Sequence, residues 1–252
     1  MLSFFRKIRK NLLNEGKTTR YFKYALGEIL LVVIGILIAL QINNWNESKK
    51  ARIYELKILK EIRAALIQDI NYSEGLLEDR IKIIDENSQA LLKLIQQENI
   101  DVEIFNNHFK SMYSGFVFQY NNGAYEALKA TGIEKISNDT LRNSLVEFYE
   151  FQVPRNQKLL LYTNGADIIE LQNDLLWQLF DYSIGQSFYD KNKNAYRINK
   201  YKFNDFKDMR LLKLINLKVN QASNGKSRIN NFIEDSNDLL KIINQELLDT
   251  DN

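Results

Sequence analysis

YALGEILLVVIGILIALQI, residues 24–42, is the stretch of sequence that decides the fold. Its uninterrupted apolar run, Ile29 to Leu40, is too short by itself to cross ~30 Å of hydrocarbon. As a helix, the whole stretch reaches roughly 28 Å at ~1.5 Å per residue. Glu28 and Gln41 lie near its ends, at headgroup depth. We therefore predict a transmembrane helix over residues 24–42.

The flanks of this stretch favour a membrane span over the alternative, a core helix of a soluble protein. Trp45 follows at the place of an aromatic belt residue. Before the stretch, Glu15 is the only acid among seven basic residues, which are Arg6, Lys7, Arg9, Lys10, Lys17, Arg20 and Lys23. Residues Leu2–Asn14 have the pattern of an amphipathic helix that lies on the inner leaflet.

The charge bias predicts the topology. The positive-inside rule keeps the N-terminus in the cytoplasm, and Lys49, Lys50 and Arg52 weaken this bias without reversing it. The alternative is a cleaved signal peptide, which needs small residues after the apolar core, and residues 40–45 offer none. We expect an uncleaved signal-anchor in a bacterial inner membrane, with a cytoplasmic segment (1–23), one span (24–42) and an exported periplasmic domain (43–252).

Five residues are predicted to anchor the span in the lipid bilayer. Glu28 is interpreted as an edge residue, because a lone span offers no ion pathway. Gly35 and Ala39 have the small-x-x-x-small spacing with which two membrane helices approach closely, so a homo-oligomer is one expectation. The predicted anchor residues are Tyr24, Glu28, Gly35, Ala39 and Trp45.

Composition excludes several classes of site. The chain has 252 residues, one proline and ten glycines, which favours helices over turns. No cysteine and a single histidine, His108, leave no thiolate nucleophile and no zinc ligand set. The phosphate-loop, dinucleotide, H-E-x-x-H and G-x-S-x-G patterns are all missing. We therefore predict no catalytic residues, no metal and no cofactor, and a net charge of +2 indicates no nucleic-acid partner.

Apolar residues repeat at helical spacing through most of the chain after Trp45, and charged residues fill the gaps. The pattern predicts one long helix to about Asn99, or two helices broken near Gly75. Two short helices are predicted over 102–112 and 123–132. A longer helical region is predicted from Ser137–Asp139 to about Tyr182, with Pro154 as a kink or a new start. After Asn204 the chain is predicted to be helical in two halves, with a turn at Asn224–Gly225. The expected fold is all-α, an N-terminal transmembrane helix followed by an extended antiparallel helical bundle.

Two aromatic segments form the candidate interaction surface. The first runs over residues 113–125, and the second lies in the predicted connection 183–204, where basic and aromatic residues alternate. The alternative is that the aromatic rings pack on the bundle. The candidate residues are Tyr113, Phe116, Phe118, Tyr120, Tyr125, Tyr196, Arg197 and Tyr201.

Two segments of the chain resemble a family. FFRKIRKNLLNEGKTTRYFKYALGEILLVVIGILIALQINNWNE (residues 4–47) and GAYEALKATGIEKISNDTLRNSLVEFYE (residues 123–150) are similar to an uncharacterised family of single-span envelope proteins common in Bacteroidota. The resemblance implies the topology above. It implies no activity and no catalytic residue, because the family has no assigned function.

Three functions remain open on these grounds. The first is a non-enzymatic, membrane-anchored bundle that scaffolds or binds an unknown envelope protein. The second is a sensory module that holds a small ligand between its helices and signals through a separate partner. An enzyme is third, and a cleft lined by convergent carboxylates would favour it.

Overall fold

The computed structural model describes residues 18–113, 115–184 and 196–248, without the side chains of 18–21, 24, 182–184, 196, 197 and 199. The predicted amphipathic helix over Leu2–Asn14 lies outside the described residues. The structure divides into two compact units, Met1–Leu56 and Lys57–Asn252, and each is described by itself.

In the first unit, the predicted membrane stretch is part of helix α1, Thr18–Leu76. Among the described residues, this is the one helix long and apolar enough to cross a membrane. Its large apolar side chains are exposed from Leu26 to Ile42; Leu31, for example, is 68% exposed. Since an exposed aliphatic run of this length is unfavourable in water, a bilayer is the environment that suits it.

Helix α1 continues through Gly75, so the predicted break there does not occur. A π-helical turn, Leu77–Ile81, follows and leads into helix α2, Lys82–Leu94. In this turn the Lys82 N–H donates to the carbonyl of Leu77, five residues back. The spacing of the buried residues explains the wide turn. Leu76 and Ile81 are five residues apart, whereas buried residues on one face of a regular helix are three or four apart.

The next helices begin and end close to where their capping residues predict. Asp101 accepts the N–H groups of Glu103 and Ile104 at the start of α3, Val102–Met112. Helix α4, Gly123–Thr131, ends at Gly132, whose φ of 107° is one that glycine adopts readily. After a short 3₁₀ turn, Ile133–Lys135, the Asn138 side chain caps α5, Asp139–Val146.

A second π-helical turn, Glu147–Gln152, joins α5 to helix α6, Val153–Asn164. Pro154 lies in the first turn of α6, so it neither ends the helix nor stands alone as a kink. In a regular helix its ring would clash with the carbonyl four residues back. The wide turn before it, in which the Val153 N–H donates to the Phe148 carbonyl, accommodates the proline.

The prediction of helix to about Tyr182 is wrong at two places. Gly165 separates α6 from α7, Ala166–Leu179. The chain then forms two antiparallel strands: β1 (Phe180–Ile184), which begins within the predicted helix, and β2 (Tyr196–Tyr201), which lies in the region predicted to be a connection. Periodicity misses the hairpin because each strand is short.

The predicted turn at Asn224–Gly225 is also wrong, because helix α8 runs without a break over Met209–Leu248. Gly225 serves close packing here. A Cβ atom at this position would lie 2.7 Å from Cζ of Phe116 and 3.1 Å from Cδ1 of Ile81. The glycine therefore makes room for an aromatic ring against the helix.

We expect Gly225→Ala to destabilise the second unit by up to about 2 kcal/mol, because overpacking costs about 1–3 kcal/mol and the better helix propensity of alanine returns about 1 kcal/mol. The matched control is Gly75→Ala, in a helix where nothing lies within 4 Å of the added carbon. Urea unfolding of the full chain in mild detergent measures both. A stabilised Gly225→Ala variant would contradict the packing argument.

The hydrophobic core of the second unit contains two described clusters of buried side chains. One joins α2, α3, α7, β1 and α8, and its rings include Phe105, Phe109 and Phe180. The other lies around the first π turn, with Leu76, Ile81, Ile84, Ala222 and Ile229. Both clusters are built by helices that bury one stripe each, which confirms the predicted all-α class, a long apolar N-terminal helix followed by a helical bundle.

Candidate functional site

The aromatic strap, residues 115–122, is an extended segment that lies on the second cluster. Phe116 contacts Gly225, and the Phe118 ring lies 5.0 Å from that of Phe232. The intervening residue Val117 is exposed, and its carbonyl accepts a hydrogen bond of 2.5 Å from the Tyr72 hydroxyl. The strap therefore has strand-like alternation, with every second side chain packed inward.

Asp69 of α1 holds the other end of the strap. The residue is 7% exposed, and its carboxylate accepts the backbone N–H of Asn121 at 2.9 Å. Burial raises the pKa of Asp69 to about 6, and the hydrogen bond from Asn121 opposes this rise. One helical turn further along the same face, the Ser73 hydroxyl is buried and has no hydrogen-bond partner among the described residues. This is an unusually polar strip for the buried face of a helix.

Two stacked tyrosines lie beside this carboxylate. The rings of Tyr125 and Tyr149 are 4.4 Å apart, and the Tyr125 hydroxyl donates to Glu150, which also pairs with Lys129 at 2.6 Å. Burial raises the pKa of both phenols, and the Asp69 carboxylate raises that of Tyr149 further. The phenols thus stay protonated, and the cluster offers neither a nucleophile nor a base with a positioned partner.

The structure places most of the predicted interaction surface in contact with the core. Tyr113 and Tyr125 are buried, and Phe116, Phe118 and Tyr120 are half-buried under the strap's outer face. Tyr201 is half-buried among the rings of Phe105, Phe180, Phe203 and Phe206, and its hydroxyl donates to Asn106. The side chains of Tyr196 and Arg197 lie outside the described residues. In this structure the described members pack on the bundle and present no continuous free face.

A second buried charge, Lys218 of α8, was not singled out by sequence reasoning. It is 4% exposed, and its Nζ lies 4.5 Å from the ring centroid of Tyr113 and donates to Oε1 of Gln221 at 3.0 Å. Burial lowers the pKa of Lys218 to about 8. Gln221 in turn donates to Asn164, whose own amide nitrogen is buried without a hydrogen-bond partner.

Both buried charges occupy positions that periodicity could have found. Asp69 lies in the run Ile62, Leu66, Asp69, Ser73, Leu76, with spacings of four and three. Lys218 falls four residues after Leu214 on the equivalent stripe of α8. A charged residue at an apolar stripe position is the available signal.

An open groove with acidic side chains lies between α5 and α8. It has a volume of about 490 Å³ and a floor of Phe148, Leu239 and Ile242. Three carboxylates line it, and burial together with its acidic neighbours raises the pKa of Asp235. Across the described ranges, no group of three or more His, Asp or Glu side chains is arranged to hold a metal ion. His108 contacts Asn87, with 2.8 Å between Nδ1 and Oδ1.

The predicted anchor residues lie along α1 in the first unit. Gly35, Ala39 and Trp45 are exposed, and the Lys49 ammonium lies 5.6 Å from the Trp45 ring centroid. Glu28 is partly exposed, and the side chain of Tyr24 lies outside the described residues. The exposed positions fit a helix surrounded by lipid, with a polar and aromatic group at its far end.

The comparisons with known proteins give one match. The model of a family described as a family of unknown function (DUF6090) matches residues 28–173. No curated protein and no solved structure matches the chain. The matched region contains the apolar stretch from Glu28 onwards, Asp69, the strap and helices α2 to α6, and it stops in α7, before the hairpin and α8.

Proposed function

We propose, from the premise that this chain belongs to the family of unknown function DUF6090, that it is a non-enzymatic membrane-anchored protein of the cell envelope whose helical domain binds or scaffolds a partner protein. The anchoring part rests on the exposed apolar run of α1. The non-enzymatic part is supported by the missing catalytic sequence motifs, and the groove lined by Glu147, Asp235 and Asp238 is the described feature that would favour an enzyme instead.

The observation that carries the partner-binding proposal is a set of exposed large apolar side chains in the second π turn, α6 and α7. Phe151, Leu161 and Trp177 are each more than half exposed, and Ile169 nearly so. Single exposed apolar residues are common, but tryptophan and large aliphatic side chains at this exposure are the usual centres of protein interfaces. A second copy of the chain or another envelope protein would cover them.

We expect a partner-dependent adduct when the full chain is cross-linked in its native membrane. The double substitution Leu161→Ser with Trp177→Ser should remove nearly all of this adduct, since two interface hot spots of about 2 kcal/mol each weaken association roughly a thousandfold. Both side chains are exposed, so the fold is retained. Quantitative mass spectrometry of the adduct measures the effect, and its mass separates self-association from a second protein.

The matched control replaces Val102 and Ile104, two aliphatic side chains of α3 that are 45% and 46% exposed. The Val102→Ser, Ile104→Ser variant should form the adduct as the unmodified chain does. An adduct that survives the Leu161/Trp177 change, or one that never forms, refutes the proposed surface.

The proposed orientation places the N-terminus in the cytoplasm and the helical domain in the periplasm, with the span in the inner membrane. Its support is the excess of basic residues before the span. A domain without cysteine is compatible with an oxidising compartment, although it needs no such compartment.

The absence of cysteine from the sequence makes the orientation directly measurable. We expect Asn230→Cys, at an exposed position of α8, to react with a membrane-impermeant maleimide once the outer membrane is opened. Lys10→Cys, before the span, should react only after the inner membrane is also permeabilised. The reverse pattern of labelling would show that the topology is inverted.

A further inference from the structure

A polar groove lies between α6 and α8. Its volume is about 470 Å³. Hydroxyl and amide groups dominate its walls, with one basic side chain and no acidic one. The lining residues are Leu159, Tyr162, Thr163, Asn220, Ser223, Asn224, Ser227 and Arg228.

The groove has a fixed floor. The Asn224 amide of α8 donates both to the Leu159 carbonyl, at 3.0 Å, and to the Thr163 hydroxyl, at 2.8 Å. These two hydrogen bonds join α8 to α6 at the bottom of the groove. The side chains around them are therefore held in place before any ligand arrives, which reduces the entropy that binding would cost.

Arg228 has unused hydrogen-bonding capacity at this groove. Its Nε–H is buried and has no hydrogen-bond partner, and one terminal nitrogen reaches the Ser227 hydroxyl only at 3.4 Å. No carboxylate of the described residues lies within ion-pair distance of it. A guanidinium binds anionic oxygens well, and the terminal nitrogens of Arg228, with one long hydrogen bond and no ion pair among the described residues, are the donors for an anionic group supplied from outside.

The positive charge of the two helices also favours an anionic ligand. Between Met209 and Ile233, α8 carries five basic residues and no acidic one, and α6 carries Arg155 and Lys158 and no acidic residue. The whole chain, in contrast, has 34 basic and 32 acidic residues. Charge of one sign around a groove raises the local concentration of an oppositely charged ligand.

The remaining lining groups fit a sugar. Tyr162 is 68% exposed, so one face of its ring is available to stack on a pyranose. Ser223, Ser227 and Asn220 are exposed and present donors and acceptors that match hydroxyl groups. We propose that this groove binds a sugar that carries an anionic substituent, with its carboxylate or phosphate on Arg228 and its ring on Tyr162. The inference does not depend on the proposed partner-binding function.

The test measures binding to the full chain in detergent micelles by saturation-transfer NMR and calorimetry. The probes are glucuronate, glucose 6-phosphate, glucose, acetate and inorganic phosphate. We expect at least one charged sugar to bind saturably and about tenfold more tightly than glucose, acetate or phosphate. A preference for glucuronate or for glucose 6-phosphate identifies the anionic group, and either preference supports the site.

Arg228→Gln should weaken binding of the charged sugar about tenfold and should bring its affinity close to that of glucose. Tyr162→Ala, at an exposed position, should weaken the charged and the neutral sugar together. Arg80→Gln, at an exposed arginine outside the lining, is the matched control and should change nothing. The proposal is overturned if no charged sugar binds, if free phosphate or acetate binds equally well, or if Arg228→Gln leaves the affinity unchanged.

Discussion

Asp69→Asn is expected to stabilise the helical domain by about 2–3 kcal/mol at pH 7.5. The residue is 7% exposed, and burial holds its pKa at about 6, roughly two units above that of an unfolded chain. Each unit corresponds to about 1.4 kcal/mol of penalty on the charged form. Asparagine keeps an oxygen that accepts the Asn121 N–H and removes the charge.

The sign of the pH dependence follows from proton binding. Between about pH 4 and pH 6 the folded chain holds a proton on Asp69 that the unfolded chain has lost, so folding stability falls as the pH rises through this window. Above about pH 6 the full penalty persists. The titratable groups that interact with the Asp69 carboxylate are the phenols of Tyr120 and Tyr149.

The measurement is the difference in unfolding free energy between Asp69→Asn and the unmodified chain, by urea titration in detergent from pH 4 to pH 8. The difference should be near zero at pH 4 and reach its full value by pH 7. Asp79→Asn, at an exposed position of the first π turn, should show no such change. An Asp69→Asn chain that is less stable than the original at pH 7.5 would rule out the desolvation argument.

Lys218→Met is expected to have the second large effect, about 1–3 kcal/mol of stabilisation at pH 7.5. Burial depresses the pKa of Lys218 to about 8, more than two units below its ordinary value. Methionine fills a similar volume without a charge. The gain is partly offset because the Gln221 oxygen loses its donor and the contact with the Tyr113 ring is lost.

For Lys218 the stability changes with pH in the opposite sense. From about pH 8 to pH 10.5 the unfolded chain holds a proton on Lys218 that the folded chain has lost, so stability rises with pH across this window. The stability of Lys218→Met relative to the unmodified chain should therefore fall by about 3 kcal/mol between pH 7.5 and pH 10.5, so that at pH 10.5 the substitution is neutral or destabilising. Below pH 7.5 the advantage should be constant.

The control is Lys213→Met, an exposed position of the same helix. It should change the stability by no more than about 0.5 kcal/mol at any pH. If Lys218→Met lowers the stability equally across the whole range, then the hydrogen bond to Gln221 outweighs the burial of the ammonium group, and desolvation does not control stability at this position.

The two predictions concern two buried residues of opposite charge in the second unit, Asp69 and Lys218, which do not pair with each other. Asp69 lies under the strap and Lys218 lies beside Tyr113, and neither has an oppositely charged partner within ion-pair distance among the described residues. Natural chains keep such costly groups most often where a function needs them. Their positions therefore rank with the polar groove as places to look for a ligand or a partner.

Sequence patterns predict the helices that have strong local signals. Asp101, Gly132 and Asn138 mark the ends of α3, α4 and α5 because their side chains or backbone angles act within one turn of the chain. The membrane stretch is equally readable, since a span is recognised by composition and length alone. Such features need no knowledge of distant residues.

Prediction from sequence fails where distant contacts override local preference. The pair Asn224–Gly225 is typical of a turn, but it lies inside α8. The ring of Phe116, more than a hundred residues earlier, packs where a larger side chain at 225 would be, which explains the glycine. In the aromatic strap, the helices beneath it half-bury Phe116, Phe118 and Tyr120, which no local pattern can reveal. The role of the strap as an interaction surface stays a prediction.

The π turns at 77–81 and 147–152 have a consequence for how the chain tolerates changes of length. At each turn two buried side chains lie five positions apart, Leu76 and Ile81 at the first and Phe148 and Val153 at the second. Losing one residue inside either turn would close it into ordinary helix and keep both flanking stripes in phase, whereas the same loss elsewhere in the helix would rotate one stripe by about 100°. Single-residue insertions and deletions among relatives should therefore gather at these two places.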